Sequence, residues 1–428
     1  MASDKVQRLL KTLGPGIMFA GTCIGGSHLV QSTKAGAFYG FSLLSIVLIA
    51  NFFKYPFFEF ASRYTNATGK SILDGYKKLH TGAVVVFALS TLVTMFIITG
   101  AIGALTGGLF NNLVNSFVKV DLWHGANWTL AIFAVTFGIL LYGKFALIDK
   151  ALKVIGVILV ISVLVAFVSV VATQQAPTSE FTTFEILDST AGFAFVIALM
   201  GWMPMGVDMS AWHSIWTVER IKQTGYYPTL KETLLDFNLG YGITVVLAVF
   251  FLTIGAYVLY QDPINTPEAI ASMNGVQYAA TLVDMFKNSV GEWSRYIIEI
   301  AAFATMFGTS ITLVDGYCRS MVKMVQLVKG KESEGLNRKA FLIWVLVLIA
   351  GSYLVVLLLG ASLGKLINFA TITSFIVGPI AAYLNYRIIF SKDVPESHRP
   401  GKLLKYLAVA GIIFLTVFAL VYIRSIIF

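Results

Sequence analysis

Charge is scarce in this chain. Only 12% of its 428 residues are Asp, Glu, Lys or Arg, against 57% hydrophobic, a balance far from that of a soluble globular domain. Cysteine is scarcer still. Cys23 and Cys318 are the only two, one in the first apolar run and the other late in the eighth, so neither a disulfide framework nor a thiolate cluster is available. No Walker-type phosphate loop is present, and ATP-driven pumping therefore has no visible motor. The apolar runs hold no nucleophile–base set and no metal-protease spacing, which argues against an integral membrane enzyme.

What remains is length and apolarity. A helix needs about 20 residues to cross about 30 Å of hydrocarbon, and eleven runs reach that scale: 14–37, 40–62, 83–110, 127–143, 151–173, 191–216, 236–260, 294–322, 339–361, 364–387 and 403–427. The first is too glycine-broken, with flanks too unlike a cleavage site, to be a signal peptide. The segments Gln174–Ser189 and Tyr260–Glu292 are the longest polar excursions, and neither reads as a separate soluble domain.

The formal charge of +9 could suggest a nucleic-acid partner, but its distribution points elsewhere. Of the 31 Lys and Arg residues, 24 fall in the N-terminus and the loops on its side of the membrane. Six fall opposite (Lys34, Lys119, Lys287, Arg295, Lys365 and Arg424), and Lys54 lies within a span. Positive residues concentrate on the cytoplasmic side of membrane proteins. The bias predicts a cytoplasmic N-terminus, an extracytoplasmic C-terminus and no nucleic-acid partner.

Two of the runs do not read as continuous helix. In the first, Gly21, Gly25 and Gly26 interrupt the middle, followed by Ser27 and His28. In the sixth, Pro204 and Gly206 break the stretch GWMPMGVD, since proline removes a donor from the helix ladder. Unwound backbone survives in a membrane only where it lines a cavity or a substrate. Paired interruptions in corresponding halves point to the midplane site of a secondary transporter. The sequence therefore predicts breaks within Gly21–Ser27 and Trp202–Asp208 that face each other.

The residues ANFFKYPFFEFASRYTNATGK, from Ala50 to Lys70, resemble the second span of the NRAMP (natural-resistance-associated macrophage protein) metal transporters, of the amino acid–polyamine–cation superfamily. Ala50-Asn51, Arg63 and Ala67-Thr68-Gly69-Lys70 fall in register. Gly14-Pro15, Ala35-Gly36, Gly143, Asp149-Lys150 and His213-Ser214 keep the family's spacing. The resemblance implies an all-α integral membrane fold of eleven transmembrane helices, with a LeuT-like 5+5 inverted repeat and broken helices 1 and 6. It divides the chain into helices 1–5 (about 14–173), helices 6–10 (about 191–387) and a peripheral eleventh (about 403–427), all within one transmembrane domain.

The departures from that family lie at its site. The Asp and Asn of its Asp-Pro-Gly-Asn motif, which bind metal, fall on Gly25 and His28. Its Met-Pro-His motif matches Met203-Pro204-Met205 if three residues are inserted afterwards. Without a gap, its methionine and histidine fall on Gly206 and Asp208. Its acidic third-span pair falls near Ile97 and Gly100, and its tenth-span glutamine near Thr371.

The polar and sulfur-bearing residues near the two interruptions are Thr22, Ser27, His28, Gln31, Met203, Met205, Asp208 and Ser210. His28, Asp208 and Met205, with a freed carbonyl at Thr22 or Trp202, form one candidate metal site of mixed ligands. A single carboxylate leaves a divalent ion under-compensated, and a small carboxylate-bearing solute on the positive helix ends fits equally well. Bland readings stand beside these. His28 can be a histidine satisfied by a helix-end carbonyl, and the methionines can be packing. Lys54 can pair with Glu59, or alternatively keep Asp208 ionised. Asn368, Thr371, Thr373 and Ser374 can bond neighbouring backbones or line the path.

The sequence thus predicts a secondary transporter of a bacterial-type inner membrane, not an enzyme, with no cofactor and with lipid around it. The resemblance implies a metal cation as cargo, without the usual manganese and iron ligands. The alternatives are a small organic solute, such as an amino acid or organic acid, and a non-transporting membrane sensor.

Overall fold

The computed structural model describes residues 7–8, 10–118, 126–142, 145–260, 273–291, 295–330, 335–360 and 362–427. Among them the chain is helical, with no strand. In lipid every backbone donor and acceptor needs an internal partner, and a helix supplies one without help from another segment. The apolar runs accordingly wind into α1 (Pro15–Cys23), α2 (Thr33–Tyr39), α3 (Leu44–Thr68), α5 (Thr81–Val118), α6 (Ala126–Tyr142) and α7 (Phe145–Thr173) in the first half. They continue as α9 (Thr190–Trp202), α10 (Ser210–Thr224), α11 (Leu230–Leu259), α13 (Arg295–Val328), α14 (Arg338–Leu359), α15 (Leu363–Ile389) and α16 (Lys402–Ile427).

Seven described helices are long and apolar enough to cross a membrane, if Thr190–Thr224 is taken as one. Three shorter helices join the bundle: α4 (Ile72–Leu79), α8 (Thr183–Asp188) and α12 (Gly275–Val290). The last two lie in the polar excursions Gln174–Ser189 and Tyr260–Glu292. Capping boxes, Thr182 with Glu185 and Asn274 with Gln277, start them by satisfying otherwise orphaned amides. Residues 261–272 of the second excursion lie outside the described residues.

Small residues bring the first helix against α11 at both ends. A Cβ on Gly16 would meet the Asp236 backbone, and one on Gly36 the Leu252 carbonyl. Gly240 and Gly255 make the reciprocal approaches from α11. Close glycine contacts are how membrane helices gain packing where no hydrophobic drive separates them from lipid. The Asp236 carboxylate also accepts from Gly14 N (3.1 Å) and Gly16 N (2.8 Å), capping the start of α1. On the other side α9 lies along α15, with Gly201 against the Thr371 backbone. The peripheral α16 packs on α3 and α15 and turns much of its surface outward.

The two interruptions differ. Between Trp202 and α10 the helix is broken: Met203–Gly206 is non-helical and Val207–Met209 is a single 3₁₀ turn. In the first span the expected unwinding is corrected. Residues Ile24–Ser32 form a π-helix that joins α1 to α2 without a gap. The glycines loosen the winding, and polar side chains take up the carbonyls that the wider helix shifts. Thr22 Oγ1 donates to the Met18 carbonyl (2.7 Å), Ser27 bonds the Cys23 carbonyl, and Thr33 N–H reaches back five residues to His28.

Candidate substrate site

The break of the sixth span faces the π-helical segment, and a small space of about 30 Å³ lies between them. Thr22, Cys23 and Ser27 line it from the first span, and Trp202, Met205 and Met209 from the break. Ile98, Ile102, Thr309 and Leu313 close it from α5 and α13. The volume is on the scale of one or two water molecules. Its polar atoms are mostly sulfur and hydroxyl. Cys23 Sγ and Met205 Sδ are 3.3 Å apart.

No carboxylate lines this space. Gly25, where the resemblance puts the family's aspartate, is pressed against Thr309, so that a Cβ there would collide with the threonine side chain. Thr309 in turn donates to the Gly21 carbonyl (3.2 Å). His28 is buried, but its ring is held on both sides: Nδ1 lies 2.6 Å from Ser27 Oγ and 2.9 Å from the Cys23 carbonyl, and Nε2 lies 2.7 Å from the Thr244 carbonyl of α11. It ties the π segment to α11. The mixed site of His28, Asp208 and Met205 is therefore not assembled, and among the described residues no group of three His, Cys, Asp or Glu side chains could hold a metal ion.

The other predicted residues take the following places. Gln31 Nε2 donates to Thr371 Oγ1 (3.2 Å), linking the first span to α15. Ser374 accepts from Trp202 Nε1 (3.1 Å), holding the indole that walls the space. Thr371 and Thr373 hydroxyls bond carbonyls of their own helix. Ser210 accepts from Asn385 Nδ2 (2.8 Å). Met203 is fully buried, with Ser32 Oγ 3.7 Å from its sulfur. Asp208 is buried beside Gly206, and its Oδ1 has no hydrogen-bond partner.

Lys54 corrects a further expectation. It does not pair with Glu59, which instead forms a bidentate ion pair with Arg63 one turn on. Arg63 also reaches the His398 carbonyl at 3.1 Å. One turn of helix separates Lys54 from that pair, and its side chain runs to the end of α9. There Nζ donates to the carbonyls of Met200, Gly201 (2.9 Å) and Met205 (3.1 Å).

A second, wider space of about 670 Å³ opens toward the ends of α10 and α13. Lys70, Asp74, Glu219, Lys222, Arg319 and Lys323 line it. Lys323 pairs with Asp74 (2.7 Å) and Arg319 with Asp315 (2.7 Å). Along both α10 and α13, Trp212 and Tyr317 lie between this vestibule and the small space. Their rings meet edge to face at 4.6 Å. From Leu313 to Arg319 the rise is about 9 Å. Cys23, Met209, Thr309 and this aromatic pair were not legible as site residues, because only the packing of four helices brings them together.

A broken helix packed on a distorted one around a small space is the arrangement of a LeuT-type membrane transporter fold. The fold comparison agrees. The crystal structure of a point mutant of the Eremococcus coleocola manganese transporter matches with a TM-score of 0.71 at 15% identity, covering 97% of this chain and 87% of that one. MhsT in complex with L-phenylalanine matches with a TM-score of 0.60 at 12% identity, covering 96% and 98%. Residues 16–425 match the family described as natural resistance-associated macrophage protein-like, and the chain belongs to that Nramp family. An uncharacterized protein of Pasteurella multocida (strain Pm70) is 34% identical over 420 residues, 96% of this chain and 92% of that one.

Proposed function

We propose that the chain is an alternating-access secondary transporter of an inner membrane and that its cargo is a soft or borderline metal cation. The carrying observation is the 30 Å³ space between the two interruptions, in which Cys23 and Met205 place their sulfurs 3.3 Å apart. Thiol and thioether donors suit soft and borderline ions, whereas manganese and magnesium want oxygen ligands. A space on the scale of one or two waters suits a bare ion better than an organic solute. Family membership supports a metal cation from another direction.

The vestibule at Lys70 and Lys323 fits the inner entry, with Trp212 and Tyr317 as the barrier that must move. The 24-to-6 distribution of Lys and Arg supports a cytoplasmic N-terminus. The division into 14–173, 191–387 and 403–427 fits two repeats and a peripheral helix.

Uptake into proteoliposomes tests the cargo. Cd²⁺ and Zn²⁺ should enter, and Mg²⁺ should neither enter nor compete. Entry of an amino acid with no metal uptake would overturn the reading. Orientation is tested by labelling from outside intact cells: Glu180→Cys should react and Lys329→Cys should be spared. Both native cysteines are buried and leave that signal clear.

A further inference from the structure

The end of α9 gathers carbonyl acceptors in one place, of which that of Met200 also accepts from Met203 N at 3.4 Å. The last carbonyls of any helix have no partner within it, and they carry the negative end of its dipole. Here that end lies inside the bundle, where no water is guaranteed to satisfy it, and the break adds the Met205 carbonyl to those of Met200 and Gly201. These three oxygens converge on one point, and Asp208 follows Met205 by three residues in the same break. Three carbonyls and a neighbouring carboxylate are the donor set of a monovalent cation site.

An ammonium stands at that point. Lys54 is 1% exposed, and its Nζ has three protons for the three carbonyls. Its donors are saturated by backbone, and none remains for Asp208, whose Oδ1 has no partner. The lysine comes from α3, a different helix, so the contact is not a local cap. It joins α3 to the C-terminal end of α9 at the break.

We propose that the broken end of α9 is a binding site for a small monovalent cation of ammonium type, and that Lys54 is its tethered occupant. The carbonyls of Met200, Gly201 and Met205 thus serve the chain's own cation, and the side chains of Trp202, Met205 and Met209 face the small space. The proposal concerns the carbonyl site alone and stands or falls independently of which ion is transported.

The site can be emptied and refilled. Lys54→Ala removes three methylenes and the ammonium, so n-propylammonium is the missing piece. n-Propanol is its neutral counterpart. The full-length protein is prepared in detergent with propylammonium present throughout, and its melting temperature is read after exchange into propylammonium, methylammonium, potassium, choline or propanol. Lys54→Ala should melt well below the unmodified protein and recover saturably in propylammonium, less in methylammonium, and not in choline or propanol. The unmodified protein should not respond. Lys54→Met, which keeps the stem packed but lacks the charge, should lose stability and not recover, because the stem blocks entry. Lys54→Ala melting like the unmodified protein would overturn the proposal. So would a loss that no small cation restores, equal recovery by propanol, or failure of the variant to fold with propylammonium present throughout.

Discussion

The first and sixth spans meet the same demand in opposite ways. Both interrupt a membrane helix near its middle. The first does so with three glycines and keeps its backbone bonds by widening to a π-helix over Ile24–Ser32. The sixth does so with Pro204 and Gly206 and gives the bonds up, ending α9 at Trp202 and restarting at Val207. Glycine only permits a different winding, whereas proline removes a donor and forces the ladder to stop. The consequences follow. In the first span, local hydroxyls and His28 absorb the displaced carbonyls. At the sixth, a cation must be brought from α3.

The comparison can be broken at the first span. Gly25→Asp would restore the family's carboxylate, but the side chain would collide with Thr309. Overpacking and a charge at mid-membrane together should cost about 3 kcal/mol or more, read as lost yield and a lowered melting temperature. The companion change Thr309→Ala should recover folding and confer Mn²⁺ binding. A Gly25→Asp protein that is stable alone would show that the two positions are not in contact.

His28→Ala tests whether the histidine is a tie rather than a ligand. It removes the bond to the Thr244 carbonyl, while the Cys23 carbonyl keeps Ser27, at a cost of about 0.5–1.5 kcal/mol for a lost hydrogen bond. The variant should melt lower than the unmodified protein and yet, once folded, bind the same cation. Lost cation binding at unchanged stability would make His28 a ligand.

Asp208→Asn sharpens the sixth span. Because the Lys54 ammonium keeps all three carbonyls, removing the carboxylate should cost only about 1 kcal/mol, within the range of a modest polar contact. Uptake should nevertheless be lost if the carboxylate carries the coupling charge. Uptake and melting temperature on one preparation decide the matter: full transport by a stable variant ends the functional role of Asp208. The smallest effect is expected at the vestibule. Lys323→Met breaks a partly exposed ion pair with Asp74, and such pairs contribute about 0–1 kcal/mol. The check is an uptake rate that changes more than the melting temperature does.

The fold was largely legible. Helices begin and end close to the apolar runs, for example 402–427 against a reading of 403–427, because lipid leaves the backbone few alternatives. The break at Met203–Gly206 was legible from Pro204 for the same reason. The site was legible only in part. Thr22, Ser27 and Met205 stand where the interruptions put them. His28 did not, because sequence spacing gives the face of an α-helix and the π winding rotates that face. Lys54 was singled out as a charge within a span, but its partners are backbone oxygens, which no side-chain pattern announces. Thr309 and Tyr317 come from α13, distant in sequence, and carry no local signal.

The central claim is that the midplane space takes a soft cation through sulfur and not a hard one through carboxylate. Titration calorimetry of the purified, unmodified protein with Cd²⁺ and with Mn²⁺ tests it most directly. Cd²⁺ should bind saturably, with binding lost in Cys23→Ser and in Met205→Ala, and Mn²⁺ should give no saturable heat. Micromolar Mn²⁺ binding that persists in both variants would contradict the account.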